Sequence, residues 1–317
     1  MRKENYKLSL VVPMYFEEEV ALVFHGRATA AVQGLCDYEI VYINDGSTDQ
    51  TLPILRDIAK DDPHVRVLSF SRNFGHQAAV TAGLEHISGD VVVVIDADLQ
   101  DPPEMIPDMV KMWQDGWDVV YAKRKKRKGE SAFKLLTAKV FYRFLAAMTD
   151  VDIPNDTGDF RLMDRKVVNA FRKMPEHNRF IRGMVAWLGF KQAPIEYERD
   201  ARFAGETKYP FKKMLKLAAD GIYSFSTKPL KMIARLGVLC LLLSVGILLL
   251  SLVMWLCKHS LGWVWTSIMF AITFFSGVQL LCMGVLGVYT GRSYDENRGR
   301  PLFLIDEVIE GAKEEDR

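Results

Sequence analysis

The 317-residue chain has few cysteines and lacks the common nucleotide-binding motifs. Its four cysteines form no Cys-x-x-Cys pair, so neither a zinc site nor a disulfide framework is indicated. The absence of Gly-x-Gly-x-x-Gly disfavours a dinucleotide-dependent dehydrogenase, and the absence of Gly-x-x-x-x-Gly-Lys-Ser/Thr disfavours a P-loop NTPase. Lysine and arginine total 41 against 40 aspartates and glutamates. This balance excludes a generally basic nucleic-acid-binding protein, and no nucleic-acid partner is expected.

Charged residues are absent from two long stretches near the C-terminus. Leu236–Cys257 and Ser260–Gly291 each exceed the roughly 18 apolar residues that mark a membrane span. Only Lys258 and His259 connect them, whereas several basic residues precede the first stretch and follow the second. The positive-inside rule therefore predicts cytoplasmic termini and an external hairpin tip. The first residues lack a long apolar region with a cleavage site, so no signal peptide is predicted.

Apolar runs alternate with helical patterns in the first 125 or so residues. The predicted strands are Leu8–Val12, Tyr38–Ile43, Val65–Phe70, Val91–Ile95 and Asp118–Ala122. The predicted helices between them are Glu17–Gln33, Asp49–Ala59, Gly75–Ile87 and Pro103–Trp113. This alternation predicts an α/β fold with a mostly parallel, Rossmann-like sheet covered by helices. In such sheets, ligands bind beyond the carboxyl ends of the strands.

Each of the five predicted strands is followed by a polar segment. These segments are residues 13–19, 44–49, 71–75, 96–102 and 123–124. One such segment alone is more often a helix-capping turn, but five at one edge of a sheet indicate a ligand site. Asp96 and Asp98 directly follow a buried strand. Two carboxylates at this spacing suit a divalent cation such as Mg²⁺ or Mn²⁺ together with a ribose.

The chain also carries six longer motifs in a specific order. They are VVPMYFEEE, NDGSTDQT, SRNFGHQAAVTAGL, DADLQDPPE, TGDFRLMDR and RFAGETKYP. This set resembles the polyprenyl-phosphate glycosyltransferases of the inverting GT-A family two, which include dolichol-phosphate mannose synthase and bactoprenol glucosyltransferase. The resemblance covers nearly the whole chain, including the two spans. It departs at Asn44, where many relatives have aspartate, but Asp45 remains for contact with the base.

The resemblance implies a GT-A catalytic domain followed by interfacial helices and a two-helix transmembrane hairpin. The expected division is a cytoplasmic GT-A domain, amphipathic interfacial helices, two transmembrane helices and a cytoplasmic tail. The corresponding ranges are 1–209, 210–235, 236–291 and 292–317. An amphipathic helix that faces a protein core is the alternative for the second range. The expected location is the cell membrane, with the catalytic domain in the cytoplasm.

Site residues follow from the same resemblance, position by position. The implied nucleotide-binding residues are Pro13, Tyr15, Glu17, Asp45 and Asp96. The implied metal ligands are Asp96, Asp98 and Gln100. The implied phosphate-binding or acceptor-binding residues are Arg124, Arg202 and Lys208, and the implied catalytic residues are Asp98, Asp159 and Arg202. For Asp159, capping of a helix over Arg161–Phe171 is the structural alternative.

The implied reaction is inverting transfer of a sugar from a nucleotide-sugar donor to a polyprenyl phosphate, such as undecaprenyl phosphate, at the membrane. Similarity favours UDP-glucose, while GDP-mannose, UDP-galactose and UDP-N-acetylglucosamine remain open. A phosphate monoester is mostly dianionic at pH 7, because its second pKa is about 6. We therefore expect Asp159 to orient the metal and the acceptor rather than to remove a proton. The resemblance also implies a homotetramer. A non-catalytic membrane scaffold is the alternative, which the intact Asp96, Asp98, Gln100 and Arg202 disfavour.

Overall fold

An eight-stranded mixed sheet forms the centre of the computed structural model, which describes residues 5–124, 157–197, 226, 228–256 and 262–312. The strands are β1 (Lys7–Met14), β2 (Asp37–Asn44), β3 (Val65–Phe70), β4 (Val91–Val94), β5 (Val119–Arg124), β6 (Thr157–Asp164), β7 (Gln192–Tyr197) and β8 (Ile305–Glu310). Their order across the sheet is β7-β5-β6-β4-β1-β2-β3-β8. All five predicted strands are present, and β1, β2, β3 and β4 pair in parallel as expected.

Helices cover both faces of the sheet. They are α1 (Ala21–Val32), α2 (Thr51–Asp61), α3 (His76–His86), α4 (Ile106–Gln114), α5 (Arg165–Phe171) and α6 (Ile181–Trp187), with a 3₁₀ turn at Pro103–Met105. The buried side chains of α1, α2 and α4 belong to one apolar cluster, and those of α3, α5 and α6 belong to a second. Alternate valines of β4 point into each cluster. This strand is therefore buried on both faces, as its continuous apolar run predicts.

Strand β6 rules out the structural alternative for Asp159. That alternative, a helix over Arg161–Phe171 capped by Asp159, is wrong in its first turn. The chain stays extended through Asp164 because β6 is buried between β4 and β5, antiparallel to both. Helix α5 begins at Arg165, and the Asp164 carboxylate caps it by accepting the N–H of Lys166. Asp159 therefore lies on a central strand.

Two long helices follow the sheet domain. They are α7 (Lys228–Leu256) and α8 (Gly262–Arg298). Within them, Lys228–Ile247 and Ser267–Arg298 are long and apolar enough to cross a membrane, and other described residues do not bury these segments. Both predicted apolar stretches are thus helical where the structure describes them. Residues 210–225 of the predicted interfacial segment lie outside the described residues.

The segment after α8 returns to the sheet. Strand β8 pairs antiparallel with β3, and Ile305 lies opposite Phe70. Just before β8, the Leu304 carbonyl accepts the N–H of Ser71 at 3.1 Å. The Phe303 ring stacks on Phe70 with 5.2 Å between centroids. Since Phe70 is the last residue of β3, the chain that leaves α8 enters the sheet at its carboxyl edge.

Candidate active site

The loops at the carboxyl edge of the parallel strands contain two residues with unusual backbone conformations. Phe16 follows β1 and has φ of 54°, and Leu99 follows β4 and has φ of 57°. Residues other than glycine adopt left-handed conformations at a cost of about 1–3 kcal/mol, and such strain concentrates at functional sites. Both residues lie in segments that the sequence marks as ligand-binding. The backbone of these loops is therefore held in a specific, strained conformation, unlike that of ordinary surface loops.

Asp45 organises the loop that precedes α3. Its carboxylate accepts the N–H of Phe74 at 2.7 Å and of Gly75 at 3.0 Å, and the side-chain amide of Asn73 at 2.9 Å. Only 3% of Asp45 is exposed. Burial raises the pKa of this carboxyl, although the two N–H groups act in the opposite direction. Asp45 thus fixes the start of the segment that carries His76, and its contact with a base stays a prediction.

Asn44 and Gly46 explain the tight turn after β2. The Asn44 amide donates to Ser69 Oγ at 3.0 Å, and its side-chain oxygen accepts the N–H of Ser47 at 3.2 Å. Asparagine therefore satisfies both neighbours at this buried position. Gly46 has φ of 66°, and an added Cβ would lie 2.3 Å from the carbonyl carbon of Arg72. A side chain at Gly46 would push two of the site loops apart.

Three cationic side chains surround Asp159, Arg161 at 3.8 Å and the hydrogen-bonded Arg182 and His76. Arg182 Nε and Nη2 donate to its two carboxylate oxygens at 2.8 and 3.2 Å, and Arg182 Nη1 donates to the Thr157 carbonyl at 3.0 Å. His76 Nε2 lies 3.0 Å from Asp159 Oδ2. Burial alone would raise the pKa of Asp159, but Arg182 and His76 outweigh burial and hold that pKa well below its usual range. Asp159 is therefore ionised at neutral pH and is a weak base.

Asp96 lies beside this ion pair. Val94 pairs with Arg161 in the antiparallel register of β4 and β6, so extending that register by two residues places Asp96 opposite Asp159. His76 Nε2 is 3.8 Å from Asp96 Oδ1. Burial alone would lower the pKa of His76, but the two carboxylates raise it to about 9. The imidazolium thus bridges two carboxylates from neighbouring strands.

Within the described part of the chain, three carboxylates as well as His76 act on Asp96. Burial, Asp159, Asp101 and Asp98 raise the pKa of Asp96 to about 6, although His76 acts in the opposite direction. Asp101 is 1% exposed and accepts a hydrogen bond from Tyr197 Oη. Carboxylates that crowd together in this way are stabilised by a cation, which relieves their mutual repulsion.

Asp98 and Gln100 form a turn within the predicted metal-binding segment. Asp98 Oδ1 accepts the N–H of Gln100 at 3.1 Å, across the left-handed Leu99. Among the described residues, no group of three or more His, Cys, Asp or Glu side chains could hold a metal ion alone. Mg²⁺ is commonly bound by one or two carboxylates, with substrate phosphates and water completing its shell. The oxygen donors of Asp96 and Asp98 fit that pattern.

The remaining predicted residues are distributed unevenly. Pro13 lies near the end of β1, Tyr15 is 37% exposed with its ring 4.4 Å from Phe16, and the Glu17 N–H donates to Thr51 Oγ1 at 3.0 Å. These three lie at the same carboxyl edge as Asp45 and Asp96. Arg124 ends β5, and only its backbone is described. Arg202 and Lys208 lie outside the described residues.

Three side chains at the site were missed from the sequence. His76 stands in the motif SRNFGHQ, whose position after a strand end was a usable signal. Arg182 and the 4%-exposed Arg161, whose guanidinium donates to the Gly158 carbonyl at 3.1 Å, lie outside every polar loop that the pattern marked. Their contribution depends on β6 being a strand, which the sequence did not predict.

A Rossmann-like sheet with strained, acidic loops at its carboxyl edge defines an α/β enzyme whose substrates bind beyond the strand ends. The chain belongs to glycosyl transferase family 2, whose family model matches residues 9–172. It is therefore a glycosyltransferase, as the motifs predict. The expected α/β fold class is likewise confirmed.

Several known proteins are similar over most of their length. The chain is 50% identical over 304 residues to the uncharacterized glycosyltransferase YkcC of Bacillus subtilis. The matched residues make up 95% of this chain and 94% of that protein. The chain is 42% identical over 306 residues to the bactoprenol glucosyl transferase of Shigella phage SfV, with 94% and 98% covered. A solved structure of Mycobacterium tuberculosis glucosyl-3-phosphoglycerate synthase with UDP matches with a TM-score of 0.47 and 21% identity, over 69% of this chain and 78% of that one.

Proposed function

We propose that the protein transfers a hexose, with UDP-glucose as the first donor to test, to a polyprenyl phosphate such as undecaprenyl phosphate. Inversion of the anomeric configuration is expected from a single displacement. The name of the phage relative supports glucose and a bactoprenol acceptor. One structural observation supports a membrane acceptor most directly: Ser71, in a site loop, bonds to Leu304, six residues after the end of α8. The apolar helices are therefore attached at the same edge of the sheet as the acidic site.

The acidic edge supports a divalent cation, Mg²⁺ or Mn²⁺, as part of the proposed reaction. Asp96 and Asp98, together with Gln100, would hold it, and when bound it neutralises charge on the departing diphosphate. Asp96 has its pKa raised to about 6, partly by neighbouring carboxylates, which is the environment that a bound cation relieves. Pro13, Tyr15, Glu17 and Asp45 would form the nucleotide pocket along the adjacent loops.

Asp159 serves in this proposal as an orienting group. Both of its oxygens are engaged by Arg182 and His76, and its low pKa makes it a poor proton acceptor. The acceptor phosphate needs little help, because its second pKa is about 6 and it is mostly dianionic at neutral pH. Arg124, Arg202 and Lys208 are proposed to contact the diphosphate or the acceptor phosphate, where fixed positive charge stabilises developing negative charge.

The proposed topology places the catalytic domain and both termini in the cytoplasm. Basic residues flank the two spans on that side, and Lys258 and His259 lie in the connection. A reporter fused after Arg317 should therefore behave as cytoplasmic, and one inserted between Lys258 and His259 should behave as external. An external signal from the Arg317 fusion would contradict the hairpin.

The experiment that tests the proposed reaction is transfer of radiolabelled sugar by the purified full-length protein. Undecaprenyl phosphate is the acceptor, and UDP-glucose, GDP-mannose, UDP-galactose and UDP-N-acetylglucosamine are compared as donors. We expect a lipid-linked product with UDP-glucose. Transfer from one of the other donors but not from UDP-glucose would change the proposed donor sugar. Transfer only to an acceptor that is not a lipid would refute polyprenyl phosphate as the acceptor. Absence of transfer with all four donors would refute the proposed donors and acceptor and would leave the scaffold alternative open.

A further inference from the structure

The last turn of α8 contacts a loop of the catalytic domain. Glu296 Oε1 accepts the backbone N–H groups of His177 and Asn178 at 2.8 and 3.4 Å. These two residues belong to the loop between α5 and α6. The next residue, Arg179, secures the same loop by donating to the carbonyl groups of Glu176 and Met174 at 3.0 Å each. A carboxylate on the long apolar helix and an arginine within the loop therefore hold this loop together.

Helix α6 begins three residues after that contact and carries Arg182. It has only seven residues, and no side chain caps it at Phe180. A helix of this length is marginal by itself, so tertiary contacts must hold it in place. The N–H of Ile181 donates to Gln77 Oε1 at 2.8 Å, which links the start of α6 to the start of α3. Arg182 then reaches Asp159 with two hydrogen bonds.

These contacts form an unbroken series from α8 to the acidic site. Glu296 holds the loop, the loop positions Arg182, Arg182 orients Asp159, and Asp159 contacts His76. We propose that Glu296 is a positioning residue for sugar transfer, which couples the seating of α8 on the catalytic domain to the geometry at Asp159. Packed and hydrogen-bonded groups in contact can carry energetic coupling between distant sites, and this series supplies such contacts.

The same C-terminal segment offers a matched control. Glu310, on β8, pairs with Arg66 at 2.9 Å, and therefore ties the segment to β3. Like Glu296, it is a carboxylate that joins the C-terminal segment to the sheet domain. Its partner lies at the amino end of β3, away from α6 and Asp159. Glu310→Ala should weaken attachment of the segment without disturbing Arg182.

Hydrogen–deuterium exchange on the full-length protein in detergent micelles, without substrate, tests the structural half of the proposal. Glu296→Ala should speed exchange across residues 181–187 about fivefold, the effect of losing about 1 kcal/mol of hydrogen bonding. Glu296→Gln should restore slow exchange, because its amide oxygen accepts the same two N–H groups. Glu310→Ala should change only β3 and β8. Unchanged exchange at residues 181–187 in Glu296→Ala would overturn the proposal.

A double-mutant cycle with Arg182→Lys tests the functional half, with UDP-glucose and undecaprenyl phosphate as substrates. Glu296→Ala alone should lower kcat about fivefold with little change in the donor KM, and Glu296→Gln should recover most of the loss. In the Arg182→Lys background the further loss should be less than twofold, because both changes act through one contact. Losses that multiply would overturn the coupling. If these substrates prove wrong for the enzyme, the exchange measurement still decides the structural half.

Discussion

Two carboxylates at opposite edges of the sheet, Glu39 and Asp96, have their pKa values shifted in opposite directions. At the amino edge, Glu39 accepts hydrogen bonds from Ser9 Oγ at 2.5 Å and from the backbone and side chain of Ser88 at 2.6 and 3.0 Å, with Lys7 Nζ at 3.6 Å. Burial alone would raise the pKa of Glu39, but these donors outweigh burial and lower it. At the carboxyl edge, Asp96 has its pKa raised to about 6.

This difference in pKa shift indicates that Glu39 is a structural carboxylate, whereas Asp96 lies in an environment that favours a bound cation. Glu39 finds enough donors within the fold, so its ionised form stabilises the native state. Within the described part of the chain, burial and three neighbouring carboxylates outweigh His76 and raise the pKa of Asp96, so its ionised form destabilises the native state until a cation binds. A fold keeps such a local conflict where function requires it. Substitutions at the carboxyl edge should therefore reduce activity, and substitutions at the amino edge should reduce stability.

The largest effect is expected at the carboxyl edge, for Asp98→Asn. Loss of a proposed metal-ligating carboxylate leaves the departing diphosphate less neutralised, and we expect turnover to fall by at least about 100-fold. EDTA should abolish activity, and Mg²⁺ or Mn²⁺ should restore it. Steady-state transfer assays measure both effects. Asp108→Asn, at an exposed carboxylate that pairs with Lys111, is the matched control and should be silent. Full activity in EDTA would contradict the metal-dependent mechanism.

The next largest effect separates two roles for Asp159. Asp159→Asn should lower activity about 30-fold, because Arg182 and His76 lose the charge that orients them. The loss should persist from pH 6.5 to 8.5, since the geometry does not titrate with the acceptor phosphate. A general base would give the opposite pattern, with recovery as the dianion accumulates above its pKa of about 6. Rescue at pH 8.5, with a flat wild-type rate, would assign Asp159 as the base.

The parallel part of the sheet could be predicted because its strands are local signals. Val91–Ile95 is a short, continuous run of β-branched residues bounded by polar residues, and its length and composition favour a strand buried on both faces. Strand β6 was missed because Thr157–Asp164 mixes charged and apolar residues, and because Asp164 is a good helix cap. Strand β8 was missed because a short alternation of apolar and polar residues indicates a strand only once its partner is known. That partner is β3, more than 200 residues earlier in the chain. Pairing at that distance leaves no local signal.

The site residues also divide into those that a local motif indicates and those that only the folded chain brings together. Asp96 and Asp98 were found because they follow a strand end in a compact motif. Arg182 was missed because its role arises from α6 packing beside β6, which no spacing in the sequence encodes. The opposing carboxylates Asp96 and Asp159 are 63 residues apart, and only the antiparallel register of β4 and β6 brings them together.

At the amino edge, Glu39→Gln should reduce stability and leave the specific activity of the folded enzyme unchanged. Several donors would lose a charged acceptor, and we expect about 1.5–2 kcal/mol of destabilisation at pH 7. The lowered pKa of Glu39 means that this contribution is present above the unfolded pKa of about 4.3 and is lost as pH falls through the folded value. The thermal midpoints of wild type and Glu39→Gln should therefore converge as the pH falls below the unfolded pKa. Asp57→Asn, at an exposed carboxylate, is the control.

The smallest expected effect is on stability at Asp96, and its pH dependence has the opposite sign to that at Glu39. A raised pKa means that the native state favours protonated Asp96, so this group's contribution to stability is present below the unfolded pKa of about 3.9 and is lost as pH rises through about 6. Asp96→Asn resembles the protonated form. In EDTA at pH 7.5 it should raise stability by about 1 kcal/mol, a value discounted because 37% of the side chain is exposed. The gain in stability should shrink at pH 4.5, while activity is lost at both pH values.

Thermal unfolding of the purified protein measures the shift in stability, with Asp108→Asn as the control. Destabilisation of Asp96→Asn at pH 7.5 would show that the carboxyl edge satisfies its charges as the amino edge does, and the contrast between the two edges would fail.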